Sequence, residues 1–288
     1  MQRSPLFVTL SLALAALAVA APATAQVDAL PADDGGKTVF DGDWIGIGGA
    51  AVYMPSYNGS DDYVLTPIPM VQGSLGGVAI NPREGGVVLD FIKDPQDGIG
   101  LSFGPSVRLR ANRATQIKDP VVESLGKRKR ALEVGPNLGF TVPKIFHQYD
   151  SLSFGIDAAW DVLGAHKGTV IEPSVTYFTP LSKGIAASLT ASAEYGTNSF
   201  MDYYYSISPA ESLKSGLAPY DAKGGFTHVG GRLLTAIDLD GDLTDGGFSL
   251  ILIGSYSRMV GQAADSPIVS VRGSANQWLG AVGLGYVF

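Results

Sequence analysis

The chain has no cysteine, only three histidines, and few charges: 16% of its 288 residues. Without cysteine, disulfide frameworks, thiolate metal sites and cysteine nucleophiles are all excluded. His147, His166 and His228 are widely separated, with no i, i+4 pair of the kind a helical zinc site uses. Basic residues are the minority, 20 Lys and Arg against 27 Asp and Glu, giving a net charge of −7. That balance argues against a nucleic-acid partner, which needs a basic surface. Past residue 25 there is no run of ~18 apolar residues, so no membrane-spanning helix is expected. Any crossing has to be made by strands.

Export signals, glycine and alternation fill the space these absences leave. Arg3, the apolar run Leu6 to Ala20 and the small-residue motif Ala23-Thr24-Ala25 predict a cleaved secretory signal peptide over 1–25. Residues 26–42 are polar and broken by Pro31, Gly35 and Gly36, and they predict a periplasmic leader. From 43 to 288 the chain is a succession of period-two segments, which is a strand signal. In the last of them Trp278, Val282, Leu284, Tyr286 and Phe288 share one face, interrupted only by Gly280. Soluble chains seldom end on an apolar strand, because termini fray. An outer-membrane barrel needs such a strand to close its sheet and leave no edge in lipid. A terminal aromatic strand also resembles the signal read by the bacterial barrel assembly machinery.

Segments 98–110, 131–142, 151–162 and 185–195 alternate most cleanly. Each has about the ~9–11 residues that a tilted strand needs to cross a bilayer. Strands of a soluble sandwich average only ~5–6. Weaker candidates are 43–53, 64–74, 76–81, 86–92, 168–179, 225–238 and 247–258. The prediction is therefore all-β: an antiparallel transmembrane β-barrel of about twelve strands. The region 64–92 widens the range to ten to fourteen. Loop lengths give an independent check. With both termini periplasmic, connections near 54–63, 111–129, 199–224 and 259–275 fall outside and are the longest; those near 143–150, 181–184 and 239–246 are shorter.

Candidate site residues follow from the polar faces. Arg108, Arg110, Glu133, Asp157, Asp161, Glu172, Glu194 and Arg232 all fall on the predicted inner face. Their mixed signs suggest ion pairs that brace or narrow a lumen; a water-filled pore with scattered charges is the alternative. The run Lys127-Arg128-Lys129-Arg130 falls at a predicted outer loop. It is a candidate contact for lipopolysaccharide phosphates, or else a solvated charge run. Asp238, Asp240, Asp242 and Asp245 partly match a calcium loop, but Gly241 is misplaced and Ser249 stands where a bidentate Glu belongs. An Asp/Gly turn is the simpler reading. No serine is singled out beside a histidine, so no catalytic, metal or cofactor residues are assigned.

Several stretches resemble the MipA/OmpV family, whose name-giving member is the MltA-interacting protein. They are Pro55 to Tyr63 (PSYNGSDDY) with Pro67 and Pro69, Tyr203 to Glu211 (YYYSISPAE), Ser215-Gly216-Leu217 with Tyr220, Asp265 to Val269 (DSPIV), and the closing Gly285 to Phe288 (GYVF). They keep their order along nearly the whole mature chain. The resemblance implies a non-enzymatic outer-membrane protein of a Gram-negative bacterium, a scaffold joining a lytic transglycosylase to a murein synthase. Other members are described as porin-like proteins or adhesins, so a narrow solute channel and a surface adhesin acting through 199–224 are the alternatives. Outer-membrane lipid and lipopolysaccharide are the implied surroundings.

Overall fold

The computed structural model describes residues 37–93, 95 and 98–288. The expected signal peptide and most of the expected leader lie outside the described residues. A short 3-10 turn, Val39–Asp41, precedes the first strand. Twelve antiparallel strands then form one closed barrel in which each strand pairs with its sequence neighbours and β1 pairs with β12. They are β1 Trp44–Pro55, β2 Tyr63–Leu75, β3 Val78–Arg83, β4 Gly86–Asp90, β5 Gly100–Arg110 and β6 Ala131–Pro143. The second half holds β7 Ser151–Asp161, β8 Thr169–Ser182, β9 Ile185–Gly196, β10 Gly225–Asp238, β11 Gly247–Met259 and β12 Asn276–Val287.

The expected strands appear, with ends shifted by a few residues. The doubtful region 64–92 resolves into β2 and a short hairpin, β3 of 6 residues and β4 of 5. Every other strand has 11 to 14 residues.

Alternation sorts the side chains. The outward rows carry Leu101, Leu138, Leu189, Leu233 and Val282, all large and exposed. An apolar belt of that extent is foreign to a soluble monomer and suits lipid. Aromatic pairs fringe it at both ends: Tyr53 with Tyr63 and Tyr256 with Trp278 at one, Phe248 with Tyr286 and Phe140 with Phe154 at the other. Trp44 instead packs edge-on against Phe40.

The two ends of the barrel differ. One carries the start of β1 and the end of β12, with the connections 76–77, 91–99, 144–150, 183–184 and 239–246. The other carries 56–62, 84–85, 111–130, 162–168, 197–224 and 260–275, and among the described residues every α-helix belongs to it. These are α1 Pro120–Ser124, α2 Asn198–Tyr205, α3 Pro209–Ser215, α4 Gly261–Asp265 and α5 Pro267–Ser270.

Candidate functional site

Arg108 and Arg110 are two residues apart on β5, so both side chains fall on its inner face. Register places Glu133 of β6 directly opposite Arg108. Arg108 donates to Glu133 at 2.7 Å and to Glu172 of β8 at 2.9 Å. Arg110 donates to the other oxygen of Glu133 at 2.6 Å and to Glu194 of β9 at 2.6 Å. Strands β5 and β9 are four places apart in the closed sheet, so this last pair crosses the interior. Glu133 and Glu194 have 0% and 2% of their surface exposed, and each needs those bonds to offset its desolvation.

Two groups complete the network. His166 Nδ1 accepts the backbone N–H of Gly168 at 3.0 Å, which leaves the ring proton on Nε2, 3.1 Å from Glu133. Thr227, the extra residue of a β-bulge in β10, donates its hydroxyl to Glu194 at 2.9 Å.

Helix α2 closes the space over this network. It leaves β9 after Gly196 and turns inward, so that Phe200, Met201, Tyr204 and Tyr205 are each at most 1% exposed. They pack with Val170, Ala222, Met259, Ala263 and Val269 from the surrounding strands and loops. The guanidinium of Arg110 lies 4.9 Å from the Phe200 ring centroid, joining helix to network by a cation–π contact. Gly196 is required for the approach: a Cβ there would stand 2.3 Å from the Phe200 ring.

A second apolar layer lies in the loops, formed by Tyr57, Ile117, Val122, Leu125, Ile207, Leu217 and Ile268. Ion pairs knit it: Arg272 to Asp119 at 2.6 Å and Arg128 to Glu211 at 3.0 Å. Burial lifts Glu211, but hydrogen bonds from Ser208 and Arg128 outweigh it and hold the carboxyl below the usual range. Arg113 is 1% exposed and donates to the Tyr204 carbonyl at 3.0 Å. Burial, reinforced by the neighbouring Arg128 charge, draws its pKa down to about 10, so it stays cationic at neutral pH.

The other sequence candidates are placed as follows. Asp157 pairs with Arg83 at 3.0 Å and accepts from Asn137 at 2.9 Å, below the main network. Asp161 accepts the backbone N–H groups of Leu163, His166 and Lys167, so it fixes the loop that carries His166. Arg232 lies on the inner face of β10 and has no ion pair among the described residues. The basic run is divided: Arg128 is drawn into the loops, stacked 5.4 Å from the Tyr203 ring, while Lys127, Lys129 and Arg130 stay exposed. Trp278, Val282, Leu284, Tyr286 and Phe288 lie on the outer face, and the Phe288 N–H donates to the Ile45 carbonyl at 2.9 Å. Asp238 serves a turn, accepting from the backbone of Asp240, Gly241 and Asp242.

Pattern reasoning missed His166, Thr227, Arg83 and the α2 aromatics. No local signal marks the first three. The run Tyr203-Tyr204-Tyr205 was visible, but its inward turn depends on Gly196 and on loops distant in sequence.

Comparison with known proteins fits this architecture. A family model described as MltA-interacting protein MipA matches residues 47–288. The chain belongs to that family. With its closed sheet and apolar belt, it is an outer-membrane β-barrel. Among solved structures it is similar to an outer membrane channel from Pseudomonas putida F1, at 12% identity over 86% of this chain and 96% of that one, with a TM-score of 0.42. It is also similar to the CymD monoaromatic hydrocarbon channel, at 8% identity over 88% and 90% with a TM-score of 0.38. OprG from Pseudomonas aeruginosa matches at 13% identity over 88% and 98%, with a TM-score of 0.28. Likenesses this distant carry no inference about what the present barrel passes or binds. No curated protein matches the chain in sequence.

Proposed function

We propose that this MipA-family barrel is a non-enzymatic scaffold, held in the outer membrane and closed to flow along its axis. The observation that carries the reading is the α2 seal over the Arg108, Arg110, Glu133 and Glu194 network. A barrel stoppered by buried aromatics and cross-barrel ion pairs is suited to anchoring. We place the end that carries the start of β1 and the end of β12 in the periplasm. There Val39 donates to the Thr244 carbonyl at 2.8 Å and Leu243 to the Lys183 carbonyl at 2.9 Å, so the end of the leader and two turns form one surface. Asp41, Asp43, Asp240 and Asp245 are exposed on it. The family description supports a lytic transglycosylase as partner, with a murein synthase brought alongside, and the acidic surface suits a basic docking face. The cleaved signal peptide and the reading of the last strand by the assembly machinery belong to the same proposal. So do contacts of Lys127, Lys129 and Arg130 with lipopolysaccharide phosphates.

The test is a pull-down of the MltA-type transglycosylase on the refolded barrel. Retention is expected, and it should weaken when Asp240 and Asp245 are changed to Lys. Absence of retention by the unaltered protein would overturn the scaffold. A second reading, a channel whose stopper moves, is favoured by the Ser- and Thr-lined interior below the network, where Thr176 bonds Thr190 and Thr141 bonds Ser153. Planar-bilayer recordings decide between them: the scaffold predicts silence, and discrete conductance would make the channel primary.

A further inference from the structure

Two ladders of the sheet hold only three pairs each, β2–β3 and β4–β5, and the first leaves the longer free edge. β2 is 13 residues long, yet its ladder with β3 holds only three pairs, Gly73 with Ile80, Ser74 with Ala79 and Leu75 with Val78. On its other side the same strand pairs with β1 along its whole length, from Trp44 with Ser74 to Pro55 with Tyr63. Among the described residues no strand lies beside the stretch from Tyr63 to Gln72, which therefore presents a free edge.

The chemistry of that edge is particular. Phe288 donates to the Ile45 carbonyl, so the odd-numbered residues of β1 direct their backbone groups toward β12. Their partners in β2, namely Gly73, Val71, Pro69, Pro67 and Leu65, direct theirs the other way, toward the unpaired side. Of the five positions that face the unpaired side between Tyr63 and Gln72, two are proline and so lack the N–H. A strand that has lost donors at alternate positions is a poor template for another strand. It is also less costly to expose to hydrocarbon than an intact edge.

The surface behind the edge is apolar as well. The inner faces of β1, β2, β11 and β12 form a cluster of Ala50, Val52 and Ala281 with Met54, Ile68, Met70, Ile253 and Leu279. The opposite inner wall, from β5 to β9, carries the ion pairs. Ile68 and Met70 remain partly exposed, and Gln72 and Asn81, on the inner face at the root of the gap, are exposed. The lipid-facing side of β2, with Leu65 and Val71, is thus continuous around the free edge with an apolar inner side.

We propose that the barrel wall is open sideways between β2 and β3, and that this seam admits a hydrocarbon chain of a membrane lipid onto the apolar inner wall of β1, β2, β11 and β12. The route runs through the wall and not along the axis, so it is independent of the scaffold reading and of axial conductance. A second copy or a partner strand adding to the edge is the competing occupant, and Pro67 and Pro69 count against it.

Because the chain has no cysteine, single labelling sites are clean. Met70→Cys, on the inner face beside the seam, is labelled with a small fluorophore and reconstituted in bilayers of acyl-chain-brominated phospholipid. Leu65→Cys on the outer face and Ser192→Cys on the inner face of β9 serve as references. The Met70 label should lose fluorescence as the Leu65 label does, while the Ser192 label keeps it. A Met70 label as bright as the Ser192 label would overturn the proposal. The unaltered protein gives a second reading: a photoactivatable fatty acid should leave adducts on Ile68 and Met70 as well as on outward residues. Adducts confined to Leu65, Val71 and their outward neighbours would refute lateral entry.

Discussion

Glu133 is the side chain on which the interior depends. It accepts from Arg108, Arg110 and His166 while fully buried, so its charge is tolerable only while all three donors stay in place. Removing it would leave two arginines competing for Glu172 and Glu194. Glu133→Ala is expected to cost about 3–5 kcal/mol, the usual penalty for breaking a buried pair from one side. The readout is a lower temperature at which the folded band converts in heat-modifiable electrophoresis; conversion at the parental temperature would show the network to be dispensable. Arg108, Arg110, Glu133 and Glu194 were legible in the sequence, because alternation alone sends them inward. That they converge on one point was not. Convergence depends on register between strands as far apart as β5 and β9, and single-chain periodicity carries no register. His166 was illegible for the same reason, since a loop held by Asp161 delivers it.

At the scale of elements, β12 and α2 make a contrast. β12 announces itself through five outward apolar side chains ending at Phe288, and it pairs with β11 along its full length and with β1 from Gly280 to Val287. Deleting Phe288 removes the N–H that donates to Ile45 and the ring that packs on Tyr286 with centroids 4.6 Å apart. Truncation is expected to reduce the yield of folded barrel in the outer membrane while leaving synthesis unchanged, as membrane fractionation would read. An undiminished yield would remove this residue from the assembly signal. Helix α2 carries no comparable signature. It has 8 residues, too few to stand alone, and is stable only because strands and loops bury it. The short β3–β4 hairpin was also hard to read, since strands of 6 and 5 residues offer too few alternations to fix their ends.

For the whole molecule, two-sidedness is the organising fact. The outer surface is predominantly apolar, as period two predicts for lipid on one side of a sheet. The inner surface is divided, charged from β5 to β9 and apolar from β11 through β2, and the seam at β2–β3 borders the apolar half. Strand number and antiparallel order were readable because long alternating segments and parity of loop length point to the same count. The stopper and the seam were not, since one is a loop folded back and the other a ladder that stops early. The order of strands has a consequence for how such a chain must fold. Eleven of the twelve junctions join strands consecutive in sequence, and only β1 with β12 brings distant residues together. Hairpins with low contact order are entropically inexpensive, whereas the closing junction must overcome the loop entropy of nearly the entire chain. The barrel can therefore grow hairpin by hairpin as an open, curling sheet, and its completion waits for the last residues to arrive.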